Sequence, residues 1–176
     1  MRKFFIIFLF LPALFLDADA QDSYQDYSHA IGLRFGYPVS ISYKKMLGTE
    51  RANAIELSAG TRSYGYFSSR YREFQFALGY LMHEDLDIEN VSGLRWYWGF
   101  GGSVYTFSYR DRDLFINDDS YTNVSFGIQG YLGLEYTLKD KPINFTLDWV
   151  PTFRLGGYGS TFGADYGALG IRYVLN

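Results

Sequence analysis

The run FGIQGYLGLEYTL, residues 126–138, decides how this chain is read. Phe126, Ile128, Leu132, Leu134, Tyr136 and Leu138 share one parity, while Ser125, Gly127, Gln129, Tyr131, Gly133, Glu135 and Thr137 share the other. Successive side chains of a strand point to opposite faces. Period two sustained over this length exceeds the usual soluble strand of about 5–6 residues. The run therefore predicts a long strand with one apolar and one polar face.

The neighbouring segments repeat the pattern. Ile143, Phe145, Leu147, Trp149 and Phe153 alternate with Asn144, Thr146, Asp148, Thr152 and Arg154. Leu169, Ile171, Tyr173 and Leu175 alternate with Ala168, Gly170, Arg172 and Val174. Similar runs fall at about 94–107, 73–83, 53–64, 39–46 and 29–37. About eight strands in simple succession, with no helical period between them, predict an all-β chain closed as an antiparallel up-and-down barrel. Composition agrees: 20% aromatic residues and 19 Gly favour strands over helices.

The connections differ in kind. Gly48-Thr49-Glu50 and Lys139-Asp140-Lys141-Pro142 are short turns, and His83 to Gly93 is a longer acidic one. On the other side, 64–72, 108–123 and 156–165 are expected to be longer loops, with Tyr37-Pro38 as a tight exception. Short turns at the end holding both termini and longer loops at the other are the arrangement of a transmembrane barrel.

Three features favour lipid outside such a barrel over a secreted soluble barrel that has the faces reversed and binds a small hydrophobic ligand. First, the apolar parity carries almost no charge, Lys45 near a strand end excepted. The charges sit on the other parity: Arg34, Lys44, Glu56, Arg62, Arg95, Glu135, Asp148, Arg154 and Arg172. Second, threading the strands up and down sorts the aromatics by depth. Tyr80, Trp96, Trp98, Tyr136, Phe145 and Tyr173 fall at the periplasmic edge, and Tyr37, Phe74, Phe76, Phe126 and Phe153 at the outer edge, with aliphatic residues between. Such girdles mark membrane interfaces. Third, glycines on the polar parity leave room for long inward side chains in a barrel that side chains can fill. The inward charges are expected to form a salt-bridge network plugging the lumen, each acid meeting an Arg or Lys. An ion-selective pore is the weaker alternative for so narrow a barrel.

The N-terminus predicts export. Arg2 and Lys3 precede an apolar stretch from Phe4 to Leu16, broken by Pro12 and followed by Ala18-Asp19-Ala20. This is the form of a cleavable signal peptide over 1–20, leaving 21–176 as the barrel domain. The apolar stretch is shorter than the roughly 20 residues of a spanning helix. Without cysteine there is no lipoprotein acylation site, disulfide or thiolate metal site. A net charge of −3 gives no electrostatic reason to expect nucleic acid.

In these parity-alternating strands, the signal sequence and a last strand reaching residue 176, the chain resembles the small outer-membrane β-barrel proteins of Gram-negative bacteria, of the OmpA/OmpX type. The segments 30–38 and 126–149 look like members of an uncharacterised outer-membrane barrel group. The resemblance implies the outer membrane as location, a monomer, and outer-membrane lipids, lipopolysaccharide and the barrel-assembly machinery as partners. The chain departs from the group in ending Tyr173-Val174-Leu175-Asn176 rather than on an aromatic residue.

Chemistry is sparse. Barrels of this size include lipid A deacylases and acyltransferases with a His/Ser/acid constellation near the outer edge, and such an enzyme is the first functional alternative. His29 and His83 both fall at the periplasmic ends of strands, where a surface or turn histidine is the expected reading. Asp111, Asp113, Asp118 and Asp119 lack calcium-loop spacing and read as a solvated acidic loop. The glycine clusters 99–102 and 156–159 lack the helix and Lys of a phosphate loop. No catalytic residue, cofactor or metal is expected. The remaining candidates are Arg70, Tyr71, Arg72, Arg110, Arg112, Phe115 and Tyr121, a Tyr/Arg mixture suited either to recognising an extracellular ligand or to binding lipopolysaccharide phosphates.

Overall fold

Alternation of apolar with polar or small residues makes each long segment a strand, and polar turns set the pairing of neighbours. The computed structural model describes residues 26–48, 50–66, 69–89, 91–111, 120–156, 162–163 and 167–175. The expected signal segment 1–20 lies outside them. The strands are β1 (His29–Tyr37), β2 (Val39–Leu47), β3 (Asn53–Tyr66), β4 (Ser69–Asp85), β5 (Leu94–Asp111), β6 (Ser120–Thr137), β7 (Ile143–Trp149), β8 (Thr152–Leu155), β9 (Phe162–Gly163) and β10 (Gly167–Leu175).

These ten segments build eight staves. β6 pairs β7 as Leu132↔Trp149 and then β8 as Gln129↔Thr152, in one unbroken register. β7 and β8 are therefore one stave interrupted at Pro151, which has no N–H to give the ladder. β9 pairs β8 and β10 pairs β7, so those two share the eighth position. Each remaining strand pairs its sequence neighbour antiparallel, and β1 pairs β10 from His29↔Leu175 to Tyr37↔Gly167. The sheet is a closed antiparallel barrel.

The closing seam depends on two glycines. A Cβ on Gly32 would lie 2.0 Å from the Ile171 carbonyl oxygen, and one on Gly36 2.0 Å from that of Gly167. Both obstacles are backbone, so neither can swing aside. Gly32→Ala is expected to lower unfolding free energy by about 1–3 kcal/mol or more, as overpacking does. A urea midpoint equal to the wild type's would contradict this.

The described residues of two expected loops, 64–66, 69–72, 108–111 and 120–123, are strand. β3 and β4 stay paired through Tyr64↔Tyr71 to Tyr66↔Ser69, and β5 and β6 through Tyr109↔Tyr121 to Arg110↔Ser120. Backbone ladders need no apolar alternation. Where both faces turn polar, the period-two signal vanishes while the hydrogen bonds continue. The β1–β2 hairpin turns at Tyr37-Pro38, far below them, and β2 leaves β3 at Thr61. The barrel wall is thus tall along β3–β6 and low along β1–β2.

The faces are inverted relative to a soluble protein. Ile31, Leu33, Phe76, Leu78, Ile128, Leu147 and Ile171 are exposed on the outside, while Arg172, Lys44, Glu135 and Asn144 are completely enclosed. A soluble ligand-binding barrel with an apolar interior is excluded by this orientation.

Candidate functional site: the polar lumen

Inward parity sends one polar side chain from each of the eight staves toward a common level in the lumen. They are Arg34 (β1), Lys44 (β2), Glu56 (β3), His83 (β4), Tyr97 (β5), Glu135 (β6), Asp148 (β7) and Arg172 (β10). Arg34 Nη2 donates to Asp148 Oδ1 at 2.5 Å and lies 3.6 Å from Glu56 through Nη1. Arg172 Nη2 donates to Glu56 Oε1 at 2.8 Å, and its Nε donates to Ser42 Oγ at 3.1 Å. Lys44 Nζ donates to Glu135 Oε2 and lies 3.9 Å from Glu56. Tyr97 donates its hydroxyl to Asp148 Oδ2 at 3.1 Å, and His83 Nε2 lies 3.8 Å from Glu135 Oε2. The three acids and three bases of this layer are matched in number and joined across the lumen. Such a network is costly to desolvate and more costly to break.

Tyr27, just before β1, seals the layer at the terminal end. It is buried, and its hydroxyl donates to Glu135 Oε1 at 2.8 Å. Burial, and then the Glu135 charge, hold this phenol well above its usual range, so it remains a proton donor.

Above this layer lies a neutral one. Gln75 and Gln129 both donate through Nε2 to the Tyr105 hydroxyl at 3.3 Å, and Tyr131 donates to Gln129 Oε1 at 2.9 Å. A void of about 20 Å³ borders Arg34, Gln75, Gln129 and Tyr131, enough for one water. The next layer is charged again. Glu73 accepts from Arg154 Nη2 at 3.0 Å and pairs with Arg62 Nε at 3.1 Å. The Arg62 guanidinium lies over Tyr37 and that of Arg154 over Tyr105, each 4.3 Å from the ring centroid.

Most of the charges named from the sequence meet here, while Arg95, the two histidines and the inward glycines differ from expectation. Arg95 stands apart at the terminal mouth, bonded to Asp85 at 2.6 Å and 3.7 Å from Asp26. His83 is a buried lumen residue, not a surface or turn histidine. β4 runs on to Asp85, so its inward parity reaches position 83. His29 is half-buried, with its ring against Tyr43 and Nδ1 2.6 Å from that hydroxyl. The inward glycines make room chiefly for tyrosines rather than arginines: a Cβ on Gly133 would meet Tyr97 at 2.5 Å, and one on Gly79 would meet Tyr131 at 2.9 Å.

Glu73, Tyr27, Tyr97, Tyr105, Gln129 and Tyr131 escaped the sequence reading as network members. Parity was the available clue for most: Glu73 precedes outward Phe74, and Tyr97 lies between Trp96 and Trp98.

Of the expected girdle residues, Phe74, Phe76, Trp98, Phe126, Tyr136, Phe145, Phe153 and Tyr173 are exposed on the outer wall. Tyr80 and Trp96 are half-buried there, and Tyr37 is half-buried beneath Arg62. Of the proposed recognition residues, Arg72 is exposed, while Arg70, Tyr71, Arg110 and Tyr121 occupy paired strand positions. Arg112 and Phe115 lie outside the described residues. Among the described residues no group of His, Asp and Glu has metal-binding geometry.

No family model matches the chain, and no curated protein matches it. Among solved structures, the crystal structure of Neisserial surface protein A matches over 83% of this chain and 89% of that one, with a TM-score of 0.48 and 10% sequence identity.

Proposed function

We propose that residues 1–20 export this chain and that residues 21–176 form an integral β-barrel of a bacterial outer membrane. The barrel is a monomer whose lumen is a structural plug, and its role is structural, adhesive or ligand-recognising through the tall rim of β3–β6. One observation carries the membrane reading: the outer wall is a continuous apolar surface while paired charges fill the interior. Soluble monomers rarely expose contiguous apolar patches beyond about 300–600 Å², whereas a hydrocarbon surround calls for such a wall.

A matched and connected lumen network supports the plug over a conducting pore. Lipopolysaccharide and the barrel-assembly machinery are the partners this location supplies, with an extracellular ligand at the rim. No catalytic residue is assigned. Fractionation of the expressing cells tests the location. The chain is expected in the outer-membrane pellet, to resist extraction by alkaline carbonate and to require detergent. Recovery as free periplasmic protein would overturn the proposal.

A further inference from the structure

We infer that the outer wall across β1–β5 carries a groove that binds one acyl chain of a membrane phospholipid. The inference rests on the membrane reading above and adds a defined site to it. The groove is an open depression of about 510 Å³, within the roughly 300–1,000 Å³ of ligand sites. It lies between two rows of outward side chains that follow the pairing across the strands. One row runs from Ile31 through Leu78 to Gly102, and the other from Ile41 through Ala59 and Phe76 to Val104. Four strand spacings make it about 19 Å long.

Two small residues open it. Ala59 sits between Ile41 and Phe76, and Gly102 pairs with Leu78. Backbone crowding does not demand the glycine at 102. A Cβ there would meet only the Gly127 carbonyl oxygen, at 3.7 Å, whereas one on Gly101 would lie 2.3 Å from the Leu78 carbonyl oxygen. Gly101 is therefore required by packing, and Gly102 leaves a gap that a side chain would fill.

The lining selects the occupant. Its outward side chains are apolar except Tyr43, whose hydroxyl is engaged by His29. A head group would find no partner, while methylenes would bury apolar surface on both sides. The groove is also continuous with the wall that the proposed function places in hydrocarbon, so an acyl chain is the occupant at hand.

The test uses the chain purified from membranes in detergent and titrated with palmitoyl-oleoyl phosphatidylethanolamine, with bound lipid counted by native mass spectrometry. Wild type is expected to take up one lipid in a saturable step. Gly102→Leu and Ala59→Leu, which fill the groove, should lower the bound fraction at least tenfold. Gly130→Leu is the control: Gly130 lies on the outward parity of β6 outside the groove, and its Cβ would meet Pro151 at an ordinary 3.5 Å. It should bind as wild type does. Gel mobility with and without boiling verifies that each variant folds, and Ala59→Leu serves if Gly102→Leu does not.

Three results would overturn the inference: no saturable step in wild type, equal binding by a folded groove-filling variant, or a dimer that the filling variants abolish. The last would make a second copy of the chain the occupant. Failure of the membrane reading is distinguishable, because the protein would then stay soluble without detergent.

Discussion

Glu135→Ala is expected to destabilise the folded barrel by about 3–5 kcal/mol, the range for removing one partner of a buried ion pair. The Glu135 side chain is fully enclosed and accepts hydrogen bonds from Lys44 and Tyr27, with His83 at 3.8 Å and Arg172 at 4.0 Å. Without it, the enclosed Lys44 ammonium keeps Glu56 at 3.9 Å as its counter-charge, with the neutral contacts of His83 Nε2 at 3.3 Å and the Tyr97 ring at 4.7 Å. Adding Lys44→Met to Glu135→Ala should recover most of the loss, because the orphaned charge is then gone. Urea titration of the barrel in lipid vesicles measures both. A single-variant loss below about 1 kcal/mol would show that the layer contributes little, since exposed pairs are worth no more.

Leu147→Arg is the second large expectation. Leu147 faces outward between Leu134 and Leu169. A bilayer around this position imposes about 2–4 kcal/mol on an arginine near its midplane. In water the same exposed site would tolerate the change within about 0.5 kcal/mol. Asn123→Arg, at an exposed position on the projecting part of β6, provides the internal control and should be nearly neutral. Equal stability of the two variants would argue against lipid at Leu147.

The barrel was legible in the chain because two constraints coincide in each strand. A lipid-facing parity excludes charge, and a narrow lumen gathers it, so the run 126–138 declares both faces at once. The eight staves, their order and their approximate ends follow from that repetition. Legibility fails where only one constraint acts. Beyond the apolar wall, at 64–66, 69–72, 108–111 and 120–123, the backbone pairing continues although the sequence loses its apolar alternation and reads as loop. His83 was misplaced for the related reason that an acidic neighbourhood, Glu84 and Asp85, looks like a turn although the inward parity runs through it.

The lumen was only partly legible. Parity identifies which charges point inward, but which acid meets which base depends on strand stagger around the whole barrel. Asp148 pairs with Arg34, 114 positions away, and Glu56 with Arg172, 116 away. Tyrosines are harder still, because Tyr suits a girdle and a lumen equally well. Tyr97 and Tyr105 are buried within the barrel, whereas Tyr173 lies on its surface. The groove at Gly102 and Ala59 carries no periodic signal, since small residues on an apolar face leave the alternation weak rather than reversed.

The central claim is that the apolar face of a closed barrel meets lipid. Gel mobility of the detergent-purified chain, compared with and without boiling, tests it most directly. A closed, detergent-held barrel should migrate as a compact faster band before boiling and at its full mass afterwards, and it should precipitate when detergent is removed. A chain that stays soluble in plain buffer and shows one mobility under both treatments would contradict the claim.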